Sequence, residues 1–227
     1  VCCLPPHLTE DDGSKVAPVD KMAVDLGLSR ERAEELVAPG DRIVIKGAPR
    51  TLLNHRVSAP ALDDRAGCAA VIECMRLLHG KTLDCGVTVL LSTREETGGQ
   101  GAQTGTFAIF PTEAIAVDVS FADQPGVAAE KCGKLGGGPM IGFAPTLDTE
   151  MREQLLRLAK AGEIPHQAEV MGGATGTNAD AIGVTQTGVR TALLSIPLRY
   201  MHTTVETADL HDIANTARLL ADYIHHR

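Results

Sequence analysis

A chain of 227 residues with 44% apolar composition can bury a substantial core, which excludes disorder as the main description. Its 21 Lys and Arg against 29 Asp and Glu leave 21 − 29 = −8, with the acids scattered along the chain, the opposite of a nucleic-acid binder's balance. No apolar run approaches the roughly 20 residues that cross a bilayer, and Val1-Cys2-Cys3-Leu4 runs into Pro5-Pro6-His7, too short for a signal-peptide core. A cytoplasmic location and no membrane partner are therefore expected.

The first sixty residues read as part of a small accessory module, with turns at Pro5-Pro6 and Asp12-Gly13. A helix is expected over 29–36, with Ser29 as N-cap and its charges on a solvated face, and Arg42-Ile43-Val44-Ile45-Lys46 reads as a strand after the Pro39-Gly40-Asp41 stop. From Ala61 the texture changes to helices alternating with apolar strands. A helix over 64–78 would place Cys68, Val71, Ile72 and Met75 on one face, and Gly80 would close it. The apolar runs 87–92, 114–118 and 191–196 suit strands of a buried sheet. Helices are expected over 149–161, with Met151, Leu155 and Leu158 inward, and over 210–225, with Ile213, Ala217, Leu220 and Ile224 inward. The six cysteines form no C-x-x-C pair, and Cys68 and Cys74 fall within a helical apolar pattern, so reduced thiols are expected. The fold class this implies is α/β, a central, mostly parallel mixed sheet flanked by helices.

In such sheets chemistry gathers where strands end. Here Asp63-Asp64 precedes a helix, Glu95-Glu96 follows the run ending at Ser92, Asp118 ends the next strand, and His202 follows 191–201. Each has a plainer explanation. Asp63 or Asp64 could simply cap a helix. A carboxylate ending an apolar strand, such as Asp118, needs a partner or a metal to offset desolvation. Glu95-Glu96 leads into the glycine-rich Thr97–Ala102 turn, which offers no helix for those charges to solvate, and His202 by itself is no better a candidate than His166 or His211. Together the set is a metal-ligand inventory distributed as a metalloenzyme distributes one.

The stretches ALDDRAGCAAVIE (61–73), LLSTREETGGQGA (90–102), AIAVDVSFADQPG (114–126), KLGGGPMI (134–141) and GGATGTNADAIGVTQTGVRTALLSIPLRYMHTTVETADL (172–210) resemble the glutamyl/deblocking aminopeptidase family of dinuclear metallopeptidases, which includes members called endoglucanases. PPHL (5–8) and SRERAEEL (29–36) resemble that family's inserted PDZ-like dimerisation domain. The resemblance runs over essentially the whole chain. It implies a zinc-exopeptidase-like catalytic domain at 59–227 and the later part of the insert at 1–58. It also implies that Asp63 bridges two metals, that Glu96, Asp118 and His202 are terminal ligands, and that Glu95 is the general base acting on a metal-bridging water. Hard carboxylates with imidazole suit Zn, Co or Mn, and Glu95, one residue from a ligand, could pass a proton to the leaving amine. Asp64 and Arg65 would support the site from outside it.

Two departures stand out. Asn178 occupies the Gly-Thr-Asp-Ala aspartate position, and no His-x-Asp motif, the family's remaining ligand, occurs anywhere in the chain. The expectation is therefore a metal-dependent aminopeptidase of short peptides, a dimer-based homo-oligomer, here lacking an N-terminal segment and with its second metal site impaired. The alternatives are a catalytically incomplete fragment or partner subunit of that family, or a glycosidase. The glycosidase is disfavoured by four Phe, two Tyr and no Trp, too few aromatics for generous sugar stacking. Gly136-Gly137-Gly138-Pro139 lacks the Gly-Lys-Ser/Thr ending of a phosphate loop and reads as a tight turn.

Overall fold

The computed structural model describes Asp20 and residues 22–227. The turns expected at Pro5-Pro6 and Asp12-Gly13, the PPHL stretch and His7 lie outside the described residues. The chain divides into two compact units, Val1–Ile45 and Lys46–Arg227. In the first, α1 (Arg30–Leu36) begins where Ser29 Oγ accepts from Arg32 N at 3.4 Å. Arg30 pairs with Glu34 at 2.7 Å one turn on, and none of the helix is buried, as expected of a solvated charged face. The strand expected over 42–46 does not form. Ile43, Val44 and Ile45 are exposed and enter no ladder among the described residues, since an apolar run becomes a strand only where a neighbour accepts its backbone hydrogen bonds.

The second unit is built around a mixed sheet of β1 (Arg50–Thr51), β2 (Arg56–Ala59), β3 (Glu113–Phe121), β4 (Met140–Phe143), β5 (Gln167–Val170), β6 (Arg190–Arg199) and β7 (Glu206–Asp209). The order is β1-β2-β7-β6-β4-β5, with β3 also on β6. The longest ladder, β3 with β6, is parallel from Glu113↔Arg190 to Phe121↔Leu198, and β4 with β5 is parallel too. The pairings β1–β2, β2–β7, β7–β6 and β4–β6 are antiparallel. Since β2 and β6 both oppose β7, they run in the same direction, and the ends of β2, β3 and β6 lie on one side of the sheet.

Helices cover both faces. Along β6, Ala192, Leu194, Ile196 and Leu198 join one core while Leu193 joins the other, the period-two alternation of a strand buried on both sides. The larger core takes in α2 (Leu62–Leu78), α4 (Thr149–Ala161) and α6 (Leu210–His225), and the smaller takes in α3 (Gln100–Ile109) and α5 (Asn178–Gly183). In α4, Met151 and Leu155 are fully buried, each contributing about 1.5–3 kcal/mol, and Leu158 packs partly buried against them. In α6, Ala217 and Leu220 are buried, with Ile213 and Ile224 packed against the same core.

The register of α2 differs from expectation. Ala66, Ala70, Cys74 and Leu78 are buried, whereas Ile72 is 60% exposed and Met75 37% exposed. Small residues at four-residue spacing let α2 approach the sheet and α6 closely, which apolar spacing by itself does not weigh. Gly80 (φ 77°) follows the helix end, as expected. Cys68, Cys74, Cys85 and Cys132 are free thiols. The run 87–92 forms no strand: it lines one side of a cleft of about 1100 Å³ whose other side is β3, so it has no sheet neighbour among the described residues. No described helix is long and apolar enough to cross a membrane.

Candidate metal centre

The carboxylates and the imidazole are brought to one end of the sheet by three separate elements. Asp63 lies in the first turn of α2 just after β2, and that turn departs from helical geometry at Asp63 and Asp64. His202 follows β6 with φ 62°, a left-handed conformation that turns the chain back toward β7. Glu95 and Glu96 lie in the turn before α3, where Gly98 and Gly99 N–H groups return to Glu95 O.

Nε2 of His202 lies 3.0 Å from Oδ2 of Asp63 and 3.5 Å from Oε2 of Glu96. The three donor atoms fall within 4.8 Å of one another, a spacing that a single divalent cation spans. The Asp63 side chain is only 9% exposed, while those of His202 and Glu96 are 65% and 58% exposed, so the site has a buried floor and an open rim. Asp118 shares the cleft but lies outside this cluster, buried near the end of β3 with Oδ1 accepting from Val119 N at 2.8 Å.

The electrostatics are those of crowded acids. Burial, reinforced by Glu96 and partly offset by His202, pushes Asp63 up to about 6. Burial also pushes Asp118 up to about 7, with Glu95, Asp63 and Glu96 adding to it. Asp64 is pushed up to about 8 by burial and by Asp118, although it accepts from Gly67 N at 2.9 Å inside α2. Glu95 is raised by burial and by the charge of Glu96. Four carboxyls held above their ordinary range, beside an imidazole, form a place where a cation offsets both repulsion and desolvation. The donor chemistry therefore fits a divalent metal.

All five site residues expected from the sequence line or border this cleft, with Asp63, Glu96 and His202 in one cluster. One contributor was missed, and another was legible only as a departure from the family's motif. Glu206, at the start of β7, is 2% exposed and accepts from Leu62, Asp63 and His202 backbone N–H groups. Its signal was an acid set among the apolar and β-branched residues of 205–208. Asn178, at the head of α5, donates to Ser92 Oγ at 3.0 Å and ties α5 to the run before Glu95, the Asn substitution being the only cue. The Gly136–Gly138 turn is held by Asp212 of α6, which accepts from Gly136 N at 2.8 Å and Gly138 N at 2.7 Å and is a backbone anchor, not a phosphate site.

The sequence matches the M42 glutamyl aminopeptidase family over residues 1–219. It is 42% identical over 224 residues to the lysyl aminopeptidase of Pyrococcus furiosus, covering 95% of this chain and 63% of that protein. Its fold superposes on the aminopeptidase APDkam598 of Desulfurococcus kamchatkensis with a TM-score of 0.87 at 31% identity, covering 99% of this chain and 64% of that one. The TET1 peptidase of Pyrococcus horikoshii, which can assemble into a tetrahedron or a large octahedral shell, superposes with a TM-score of 0.76 at 29% identity, covering 99% of this chain and 67% of that one. The chain thus spans somewhat under two thirds of the length of the first two of these proteins. With a mixed sheet carrying acids and a histidine at its strand ends, and a family match from residue 1 to residue 219, this chain belongs to the M42 glutamyl aminopeptidase family.

Proposed function

We propose that the chain is the larger part of a metal-dependent aminopeptidase that removes N-terminal residues from short peptides. The observation that carries this reading is the Asp63–Glu96–His202 cluster at the rim of an acidic cleft, in a chain of an aminopeptidase family. Asp63, Glu96, Asp118 and His202 would hold the divalent ions, Zn, Co or Mn, which would supply a Lewis acid for the peptide carbonyl and an activated water.

The chain's own residues do the rest. Glu95, beside Glu96 and raised by partial burial, would accept a proton from the attacking water and pass it to the leaving amine. Asn178, through Ser92, steadies the run that leads into Glu95.

A second reading concerns these 227 residues by themselves. Among the described residues only one group of three donors converges, and Asp118 stands apart from it. This favours at most one tightly held metal and very low hydrolysis until a further ligand, such as the histidine of the His-x-Asp motif that the family resemblance implies, is supplied. We also infer a homo-oligomer, with the residues before Lys46 as part of a PDZ-like dimerisation module, since β1 and β2 belong to the sheet of the second unit, and a cytoplasmic enzyme; the assembling TET1 relative supports the first. The test is elemental analysis together with leucyl- and glutamyl-anilide hydrolysis, on the chain alone and on a longer protein that carries the missing ligand. One metal and weak hydrolysis in the first, two metals and strong hydrolysis in the second, is the expected pattern. Two metals and robust hydrolysis by the chain alone would overturn the second reading, and no hydrolysis by either would overturn the first.

A further inference from the structure

We infer that Glu206 is a positioning residue that holds two metal ligands from opposite sides of one strand through their backbones; this rests on the reading of Asp63 and His202 as ligands. The topology gives it that position. β7 lies between β2 and β6, and Glu206, its first residue, sits opposite Ala59 at the end of β2. The chain leaving β2 leads to Asp63, and the chain leaving β6 leads to His202, so Glu206 stands between the two ligand-bearing connections.

Its carboxylate uses both oxygens. Oε2 accepts from Leu62 N at 2.6 Å and from Asp63 N at 3.1 Å, and Oε1 accepts from His202 N at 2.8 Å. The residue is 2% exposed, and an acid so buried persists only when its charge is answered. Here three N–H groups answer it, and they belong to the segments that aim Asp63 Oδ2 and His202 Nε2 to within 3.0 Å of each other. Had the position served packing alone, an aliphatic side chain would fill it without burying a charge.

The side-chain chemistry is specific. Glutamine keeps the shape but offers one acceptor oxygen, so its amide NH2 would face either the His202 N–H or the Leu62 and Asp63 pair, donor against donor. Aspartate, one methylene shorter, could not reach both sides. Either change frees one ligand's backbone while leaving every ligand side chain in place.

The experiment is a titration of the metal-free chain and its Glu206→Gln variant with Co²⁺, followed by visible absorption, with thermal unfolding of both metal-free proteins recorded in parallel. Glu206→Gln should weaken Co²⁺ binding by about 10–100-fold and alter the shape of the visible bands, because support behind metal ligands carries that share of affinity. An unchanged affinity and spectrum, even with a lower unfolding midpoint, would show that Glu206 is merely structural and overturn the proposal. If the wild-type chain shows no cobalt bands, the ligand assignment itself fails, and the proposal with it. Should the variant not fold, amide exchange on the wild-type chain decides. The Leu62, Asp63 and His202 amides should slow together when Zn²⁺ is added, and a His202 amide that exchanges as an open loop does, unaffected by Zn²⁺, would overturn the proposal.

Discussion

His202 Nε2 approaches Asp63 Oδ2 to 3.0 Å although one residue follows β6 and the other opens α2. The approach requires β2, β7 and β6 to lie side by side with the ends of β2 and β6 on the same edge. If the pair forms a metal site, His202→Ala or Glu96→Gln should weaken Zn²⁺ or Co²⁺ binding by at least about tenfold, since each ligand carries a share of the binding free energy. Isothermal titration of the metal-free chain checks this. Unaltered affinity in both variants would remove the cluster from consideration.

Glu95 and Glu96 are neighbours in sequence with different environments. Glu95 is half-buried, whereas Glu96 is exposed and 3.5 Å from the imidazole. In the active peptidase, Glu95→Gln should lower kcat by about a hundredfold or more with metal content unchanged, as expected for a proton-transfer group outside the ligand set. Metal loss equal to that of Glu96→Gln would reverse the two roles. Anilide hydrolysis beside elemental analysis separates them.

Away from the cleft, Arg190 grips Asp148 through two bonds, Nε to Oδ2 at 2.8 Å and Nη2 to Oδ1 at 3.1 Å, while Asp148 also caps α4 by accepting from Met151 N at 2.9 Å. The Arg190 hydrogen bond, aided by those from the helix backbone, holds Asp148 down at about 2 against an ordinary 3.8. A carboxyl lowered in the folded state contributes stability above its unfolded value and loses it as pH falls toward the folded one. Unfolding midpoints should therefore decline between about pH 4 and pH 2, and Arg190→Leu should flatten that part of the decline. Because Arg190 is 40% exposed and screened by solvent, its loss should cost at most about 1 kcal/mol at pH 7, a midpoint change of about 2–4 °C. A steep acid decline that survives in Arg190→Leu would assign it to other carboxyls.

Gly138 has φ 84°, and a Cβ placed there would lie 1.7 Å from the Pro165 carbonyl oxygen. Both the left-handed backbone and the close approach exclude a side chain, and Asp212 fixes the turn from the other side. Gly138→Ala should destabilise the fold by about 2 kcal/mol or more. Urea unfolding measures it, and a change under about 0.5 kcal/mol, the range of ordinary surface substitutions, would mean the turn can shift.

The sequence by itself determined the elements whose signal is local. Apolar spacing located α4 and α6, continuous apolar runs located β3 and β6, and Ser29 marked the start of α1. Motif resemblance pointed to Asp63, Glu95, Glu96, Asp118 and His202 as candidates, because residue type at a strand end is written in the chain itself. Only the tertiary structure decided which runs pair and which face each helix buries. The runs 42–46 and 87–92 look like strands yet join no ladder among the described residues, since pairing depends on a neighbour's free edge and not on the run's own composition. α2 buries its small residues instead of Ile72 and Met75, since close approach to the sheet and α6 outweighs hydrophobicity there. Glu206 was legible as an acid among apolar and β-branched residues, but its partners at Leu62, Asp63 and His202 became apparent only once β7 was found between β2 and β6. A buried charge is defined by the groups that answer it, and those groups are distant in sequence because they are brought together by strand order.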